Sequence, residues 1–242
     1  MEKFDGIRGV WNGSNAFVTR SAVLIKPPPS LLHLLPKGTS LDGELWSGRG
    51  NFEQCARILR ANGDEAAWSG INYIVFDAPH AGGPFTERLR AAELAIAAST
   101  GGAGCQTRLS VTHIEPCGDQ ATVKRLLCEV EAKGGEGLML RKGSSLFRAG
   151  RSRDLLKVKS WHDGEAQVLG NTAGKSSLIC KAIPTGCQFG LTWNRAGVPP
   201  GAGSIVTYRY QALTGAGLPR FPILGYVHPN KCVCETCSEV RK

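Results

Sequence analysis

Apolar residues recur at two different spacings along this 242-residue chain. At a spacing of two, residues 16–19, 71–76, 137–141 and 155–158 read as strands punctuated by Gly, Pro and Ser. Residues 51–61, 85–99 and 120–133 keep helical spacing instead. Asp119 is placed to cap the last of these, because its carboxylate can accept the unpaired amides of the first turn, and Gly134-Gly135 ends it. Beyond residue 162 the pattern changes to short strand candidates alone, at 165–170, 178–182, 188–192 and 204–213, which predicts a small β-barrel. The expected fold class is α+β: a domain of antiparallel sheets and helices over 1–162, an all-β domain over 163–231, and a Cys-containing tail over 232–242.

Composition narrows this picture. No apolar run approaches the roughly 18–20 residues that span a bilayer, so no membrane role is expected. Residues 1–6 carry no basic segment followed by an apolar stretch, and an intracellular location is expected. Lys and Arg outnumber Asp and Glu by 29 to 20, a net +9 that favours a polyanionic partner. The nine cysteines show no compact framework, which suits reduced thiols. Cys232, Cys234 and Cys237 do cluster, with His228 nearby, but their spacing is cramped beside structural zinc sites built from two separated pairs. A metal-free tail is the expectation.

Candidate chemistry lies in five short motifs. In Lys3-Phe4-Asp5-Gly6-Ile7-Arg8, an amine beside a tight glycine turn precedes an arginine fork suited to phosphate. Leu41-Asp42-Gly43-Glu44-Leu45-Trp46 reads either as an Asp-Gly hairpin turn or as a carboxylate, Glu44, for a ribose hydroxyl or a cation. Tyr73 to Pro79 carries Phe76 and Asp77 at a strand end, where Phe76 is either core or a purine-stacking ring. Glu136-Gly137-Leu138-Met139-Leu140-Arg141 sets a carboxylate at the mouth of an apolar strand. In Leu155-Leu156-Lys157-Val158-Lys159, two lysines at i and i+2 share one strand face, with Leu156 and Val158 on the other; they repel unless an anion lies between them, or they simply mark a solvated edge.

Taken in order, KFDGIR, LDGELW, VFDAP, EGLMLR and LLKVK resemble motifs I, III, IIIa, IV and V of the covalent nucleotidyltransferases, and most closely the minimal ATP-dependent DNA ligases of bacteria and viruses. The resemblance spans about residues 2–228 and implies a nucleotidyltransferase domain followed by an OB-fold. It implies that Lys3 attacks the α-phosphorus of ATP, that Arg8 holds the nucleotide sugar or the nick phosphate, and that Glu44 holds the ribose. It further assigns Phe76 to the adenine face, Lys157 and Lys159 to the α-phosphate, Arg20 to a phosphate contact, and Glu136, with Glu44, to Mg²⁺ or Mn²⁺. The implied partner is nicked duplex DNA, sealed by a monomer. RNA ligases and capping guanylyltransferases share these motifs, and a catalytically impaired nucleic-acid-binding relative is the remaining alternative.

Chemistry asks for these residue types independently. Neutralising a lysine of ordinary pKa, about 10.4, costs about 4.6 kcal/mol at pH 7, a cost that neighbouring cations and a metal reduce. Two departures stand out. The strand that precedes motif I in the family has no counterpart ahead of Lys3, so the nucleophile is expected on an unpaired terminus, and the chain reads as a truncated product, one with a mis-called start, or a sluggish adenylyltransferase. The arginine expected after the Phe-Pro pair of motif VI is replaced by Tyr226 and His228, which predicts weakened self-adenylylation.

Overall fold

The computed structural model describes residues 1–60, 64–101, 108–172, 176–183, 185–193 and 195–232. The chain divides into two compact units, Met1–Lys159 and Ser160–Lys242.

In chain order the first unit contains β1 (Ile7–Trp11), β2 (Phe17–Thr19), β3 (Leu24–Ile25), α1 (Pro29–Leu32), β4 (Leu41–Trp46), α2 (Phe52–Arg60), α3 (Glu65–Trp68) and β5 (Asn72–Asp77). There follow α4 (Phe85–Ser99), β6 (Leu109–Val111), α5 (Gln120–Ala132), β7 (Leu138–Arg141) and β8 (Leu155–Val158). A six-stranded sheet runs β3-β2-β1-β4-β5-β6, antiparallel except for the parallel β5–β6 pair, and β7 pairs with β8 in a separate ribbon. One face of the sheet carries Trp11, Phe17, Leu41, Leu45, Tyr73 and Val75 into a core closed by Ile58 and Leu59 of α2 and by Ala92 and Ile96 of α4. Cys55, Ile58 and Leu59 follow the i, i+3, i+4 spacing that turns one helical face inward. Asp119 caps α5 as expected, accepting from the Thr122 amide at 2.7 Å, and Gly134 leaves the helix with φ 77°.

The Asp42-Gly43 pair makes no hairpin turn; it lies inside β4, hydrogen-bonded to β1 on one side and β5 on the other. Glycine is needed there because a Cβ would stand 2.6 Å from both the Ile74 carbonyl oxygen and the Tyr73 ring. Tyr73 is fully buried, its hydroxyl 2.9 Å from the carbonyl oxygens of Gly9 and Leu41, and so ties three strands together.

The second unit contains β9 (His162–Asn171), β10 (Ser177–Ile183), β11 (Gln188–Thr192), β12 (Ser204–Tyr210), β13 (Ala212–Leu213), β14 (Pro219–Arg220) and β15 (Ile223–Cys232). Five of these close a barrel in the order β10-β11-β15-β12-β9, around Ala166, Val168, Leu178, Cys180, Leu191, Val206, Tyr208 and Leu224. This is the OB-type barrel the resemblance implied. The single strand expected over 204–213 breaks at Gln211 into β12 and β13. Residues 233–242, with Cys234 and Cys237, lie outside the described residues. Among the described cysteines, Cys55, Cys117, Cys128, Cys180 and Cys187 are free thiols. No described helix is long and apolar enough to cross a membrane.

Gly43→Ala is expected to destabilise the protein by about 2–3 kcal/mol, because the added methyl meets backbone and a buried ring. A lowered urea midpoint with an unchanged slope is the signature; a wild-type midpoint would show that β4 and β5 separate freely.

Candidate functional site

The site starts from the backbone of the first three residues. The Lys3 amide donates to the Gly137 carbonyl at 2.8 Å, the Met139 amide donates to the Met1 carbonyl at 2.9 Å, and Glu2 bridges antiparallel to Leu138. The expectation of an unpaired terminus is therefore corrected: β7 supplies the pairing edge, and the nucleophile candidate is held by main-chain bonds.

This pairing brings Lys3 beside Glu136, which immediately precedes Gly137 and β7. The β7–β8 register, Leu138 opposite Val158, returns the chain so that Lys159 arrives at the same place. The Lys3 and Lys159 ammonium groups each donate to one oxygen of the Glu136 carboxylate. These side chains are only 19%, 14% and 19% exposed for Lys3, Lys159 and Glu136. Burial would raise the Glu136 carboxyl, but the two ammonium groups outweigh it and hold it below the usual carboxylate range. Gly137 makes the approach possible. Its φ is 143°, and a Cβ would stand 2.4 Å from the Val158 carbonyl oxygen.

A second row crosses the open face of the sheet. Arg8 of β1 lies opposite Glu44 of β4, which lies opposite Ile74 of β5, so the three side chains share one face. Phe76 is two residues along β5 on that face, and the Arg8 guanidinium carbon is 5.7 Å from its ring centroid. Arg8 forks onto the buried Asp42, with Nε 2.8 Å from Oδ1, and this bond raises its already high pKa. Burial pushes the Glu44 carboxyl up to about 7, against the opposing pull of Lys3, the Gly6 amide and Arg8. Gly6 forms no left-handed turn. It is glycine because a Cβ would stand 2.3 Å from the Leu45 carbonyl oxygen.

Two expected members stand apart. Lys157 is exposed on β8, opposite Met139, and does not share the carboxylate with Lys159. Leu156 is 55% exposed, because a two-stranded ribbon leaves a face of β8 without cover. Arg20 is exposed in the turn after β2, one residue past the Gly9–Thr19 pair that ends the β1–β2 register, and thus next in line to the row that holds Arg8.

The sequence reading missed the buried charges beneath this row. Arg88 of α4 is 0% exposed, and its Nε and Nη2 lie 2.8 and 3.2 Å from the carboxylate of Asp77, which is 1% exposed. Arg141 reaches the same carboxylate at 2.8 Å. Nη1 of Arg88 also donates to the Gly83 and Ser145 carbonyls, at 2.7 and 3.0 Å. Asp77 and Arg141 were visible as motif ends; Arg88, three residues past Phe85 and four before Ala92, has the spacing of the inward stripe of α4, but an arginine reads as solvated and its buried carboxylate partner is not visible in the helical run.

The described residues contain no cluster of three or more His, Cys, Asp or Glu side chains able to cage a metal. Glu136 is a single ionised carboxylate and Glu44 a largely neutral one at low pH. That donor set fits a hard divalent cation completed by phosphate oxygens and water, not a cation held by protein alone.

A two-layer domain ending in this lysine–carboxylate–lysine trio and followed by a closed barrel defines the covalent nucleotidyltransferase fold with an OB module. A family model for the DNA ligase OB-like domain matches residues 176–227. A DNA ligase of Haemophilus influenzae is 32% identical, over 91% of this chain and 82% of that protein. The solved structure of a Lig E DNA ligase superposes with a TM-score of 0.81 at 32% identity, covering 94% of this chain and 91% of that one. Chlorella virus DNA ligase-adenylate, at 22% identity and a TM-score of 0.53 over 95% of this chain and 91% of its own, shares the fold. The chain belongs to the DNA ligase family.

The raised Glu44 carboxyl makes stability pH-dependent. The folded state holds this proton up to about pH 7 while the unfolded chain releases it near 4.5. Its contribution is therefore present below 4.5 and lost as pH rises to 7, on the order of 3 kcal/mol. Glu44→Gln should gain on wild type across that window in urea titrations of ligand-free protein and keep a constant lead above it. Parallel curves would show that Glu44 ionises normally.

Proposed function

We propose that this chain is an ATP-dependent DNA ligase that seals 5′-phosphate/3′-hydroxyl nicks in duplex DNA as a monomer. The observation that carries this reading is the pinning of Lys3 to β7 with its amine on the carboxylate that Lys159 shares.

In the first step the Lys3 amine attacks the α-phosphorus of ATP. A P–N bond forms, the α–β anhydride bond breaks and pyrophosphate leaves; the Lys3 ammonium gives one proton to solvent before attack and a second as the P–N bond forms. The resting trio carries two positive charges and one negative, so loss of a proton from Lys3 leaves Lys159 and Glu136 as a neutral pair. Phe76 stacks on adenine from the open face of the sheet, Glu44 accepts from the ribose, and Arg8 binds the sugar or, later, the nick phosphate. Lys159 meets the α-phosphate as its negative charge is redistributed, and Lys157 and Arg20 offer further cations to the phosphates. Glu136, with Glu44, would hold Mg²⁺ or Mn²⁺, which neutralises phosphate oxygens when bound.

In the second step an oxygen of the DNA 5′-phosphate attacks the phosphorus of the lysine-bound AMP, the P–N bond breaks, and the Lys3 nitrogen takes up two protons from solvent, one as it leaves as an amine and one to return to the ammonium. In the third the 3′-hydroxyl attacks the activated 5′-phosphorus and expels AMP. The net charge of +9 supports a polyanionic partner gripped through its backbone, and sealing should weaken with salt.

Incubation with labelled ATP should place one AMP on Lys3, visible by mass spectrometry and absent in Lys3→Ala. Lys159→Ala should slow sealing about 100-fold or more with an unchanged melting temperature. Labelling by GTP instead of ATP, or wild-type sealing by Lys3→Ala, would overturn the ligase reading.

A further inference from the structure

Lys3 is held at its amine by Glu136, but a side chain with four rotatable bonds is positioned only if its Cα is also fixed. Two side chains that flank it do this. Phe4 stacks edge-on against Trp46, with ring centroids 5.2 Å apart. Glu2 receives both arms of the Arg49 guanidinium, Nε to Oε1 at 2.9 Å and Nη2 to Oε2 at 2.7 Å.

Arg49 is itself held in place. It sits between Gly48 and Gly50, whose φ angles of 104° and 73° turn the chain sharply between β4 and α2. Ser47 and Asn51 close that turn reciprocally: the Ser47 hydroxyl donates to the Asn51 carbonyl and the Asn51 amide group to the Ser47 carbonyl, both at 3.1 Å. A planar two-bond fork fixes direction as well as distance, which a single ammonium contact does not. The arginine side chain is 35% exposed and Glu2 17%, so the pair contributes little to global stability. Its conspicuous product is the orientation of the peptide that leads into Lys3.

We infer that Arg49 is a positioning residue for the nucleophile, acting through Glu2 to aim the Lys3 amine in line with the α-phosphorus during lysine adenylylation. The inference rests on the ligase reading above and adds a residue to its first step. Sealing of a nick that already carries AMP needs no nucleophilic amine, so the Arg49–Glu2 clip is dispensable there. The Arg49 fork is spent on Glu2 and not on Lys3 Nζ, so its loss is expected to lower the rate at saturating ATP and to leave the ATP concentration giving half that rate unchanged.

The test is single-turnover kinetics of the full chain with Mg²⁺ and labelled ATP, alongside sealing of a synthetic pre-adenylylated nick. Arg49→Ala should melt like wild type, form Lys3–AMP about 10- to 100-fold more slowly with an unchanged half-saturating ATP, and seal the pre-adenylylated nick within about twofold of wild type. Arg49→Lys, which keeps the charge and loses the fork, should recover part of the rate. Wild-type adduct formation by Arg49→Ala overturns the inference, and so does an equal slowing of both reactions, which would mark a general structural role. If wild-type protein itself forms no adduct, the ligase reading fails and the role of Arg49 falls with it; an adduct equally fast in both proteins removes Arg49 alone.

Discussion

One carboxylate organises the first unit. Glu136 is shared by two ammonium groups in a partly dry site, and an ion trio of that kind is stable only if its geometry is imposed from outside, because desolvating three charges costs about as much as their attraction returns. The imposition starts with backbone. The pairing of residues 1–3 with β7, and of β7 with β8, brings the three segments together, and the Arg49–Glu2 fork and the Phe4–Trp46 contact then orient the one that carries Lys3. Gly137 is the hinge of that construction: only a residue without Cβ lets the segment between Glu136 and β7 lie against the Val158 carbonyl. With one carboxylate for two lysines the trio keeps a net positive charge, which suits a pocket for polyphosphate.

The sheet face opposite the core needs a comparable anchor, since Phe76 and Arg8 sit on strands that end there. Asp77 follows Phe76 directly, and two arginines reach it, one from α4 and one from the end of β7. Arg88 also satisfies the carbonyls of Gly83 and Ser145, so a buried guanidinium ties the end of β5 to the start of α4 and to the segment after β7. Every donor of this arginine with a bond here meets a carboxylate or a carbonyl, which is the condition under which a fully buried charge is tolerated. The ring of Phe76 and the carboxylate of Glu136 are thereby referenced to one network, β7 carrying Arg141 at one end and following Glu136 at the other.

Much of this was legible in the residues. The helices α2, α4 and α5 fall within a residue or so of their periodic segments, and the chain divides into two units between Lys159 and Ser160, a little ahead of the change near residue 162 from mixed to purely β patterning. What the chain concealed follows from contacts between distant segments. Asp42-Gly43 has turn chemistry but is strand because Tyr73 fills the space a side chain would take. β15 closes the barrel although Pro229 interrupts its sequence, an absence of alternation that local pattern cannot read. The support of Lys3 was illegible for the same reason, since residues 1–3 have no strand signal and gain their partner, β7, from 134 or more positions away. In the site, Lys159 was found by its motif, whereas its separation from Lys157 depends on where β8 ends.

The replacement at motif VI can be weighed on its surroundings. His228 lies on β15 with Nε2 2.8 Å from the Thr207 hydroxyl and 3.8 Å from the Glu165 carboxylate, and the Tyr226 ring packs edge-on at 5.1 Å. The imidazole is thus built into the barrel wall. A guanidinium offers five donors in a rigid fork, whereas this ring has two nitrogens and spends one on its own strand neighbours. On the proposed mechanism, orientation of pyrophosphate then falls to cations of other segments, and the first step depends the more on how Lys3 is aimed.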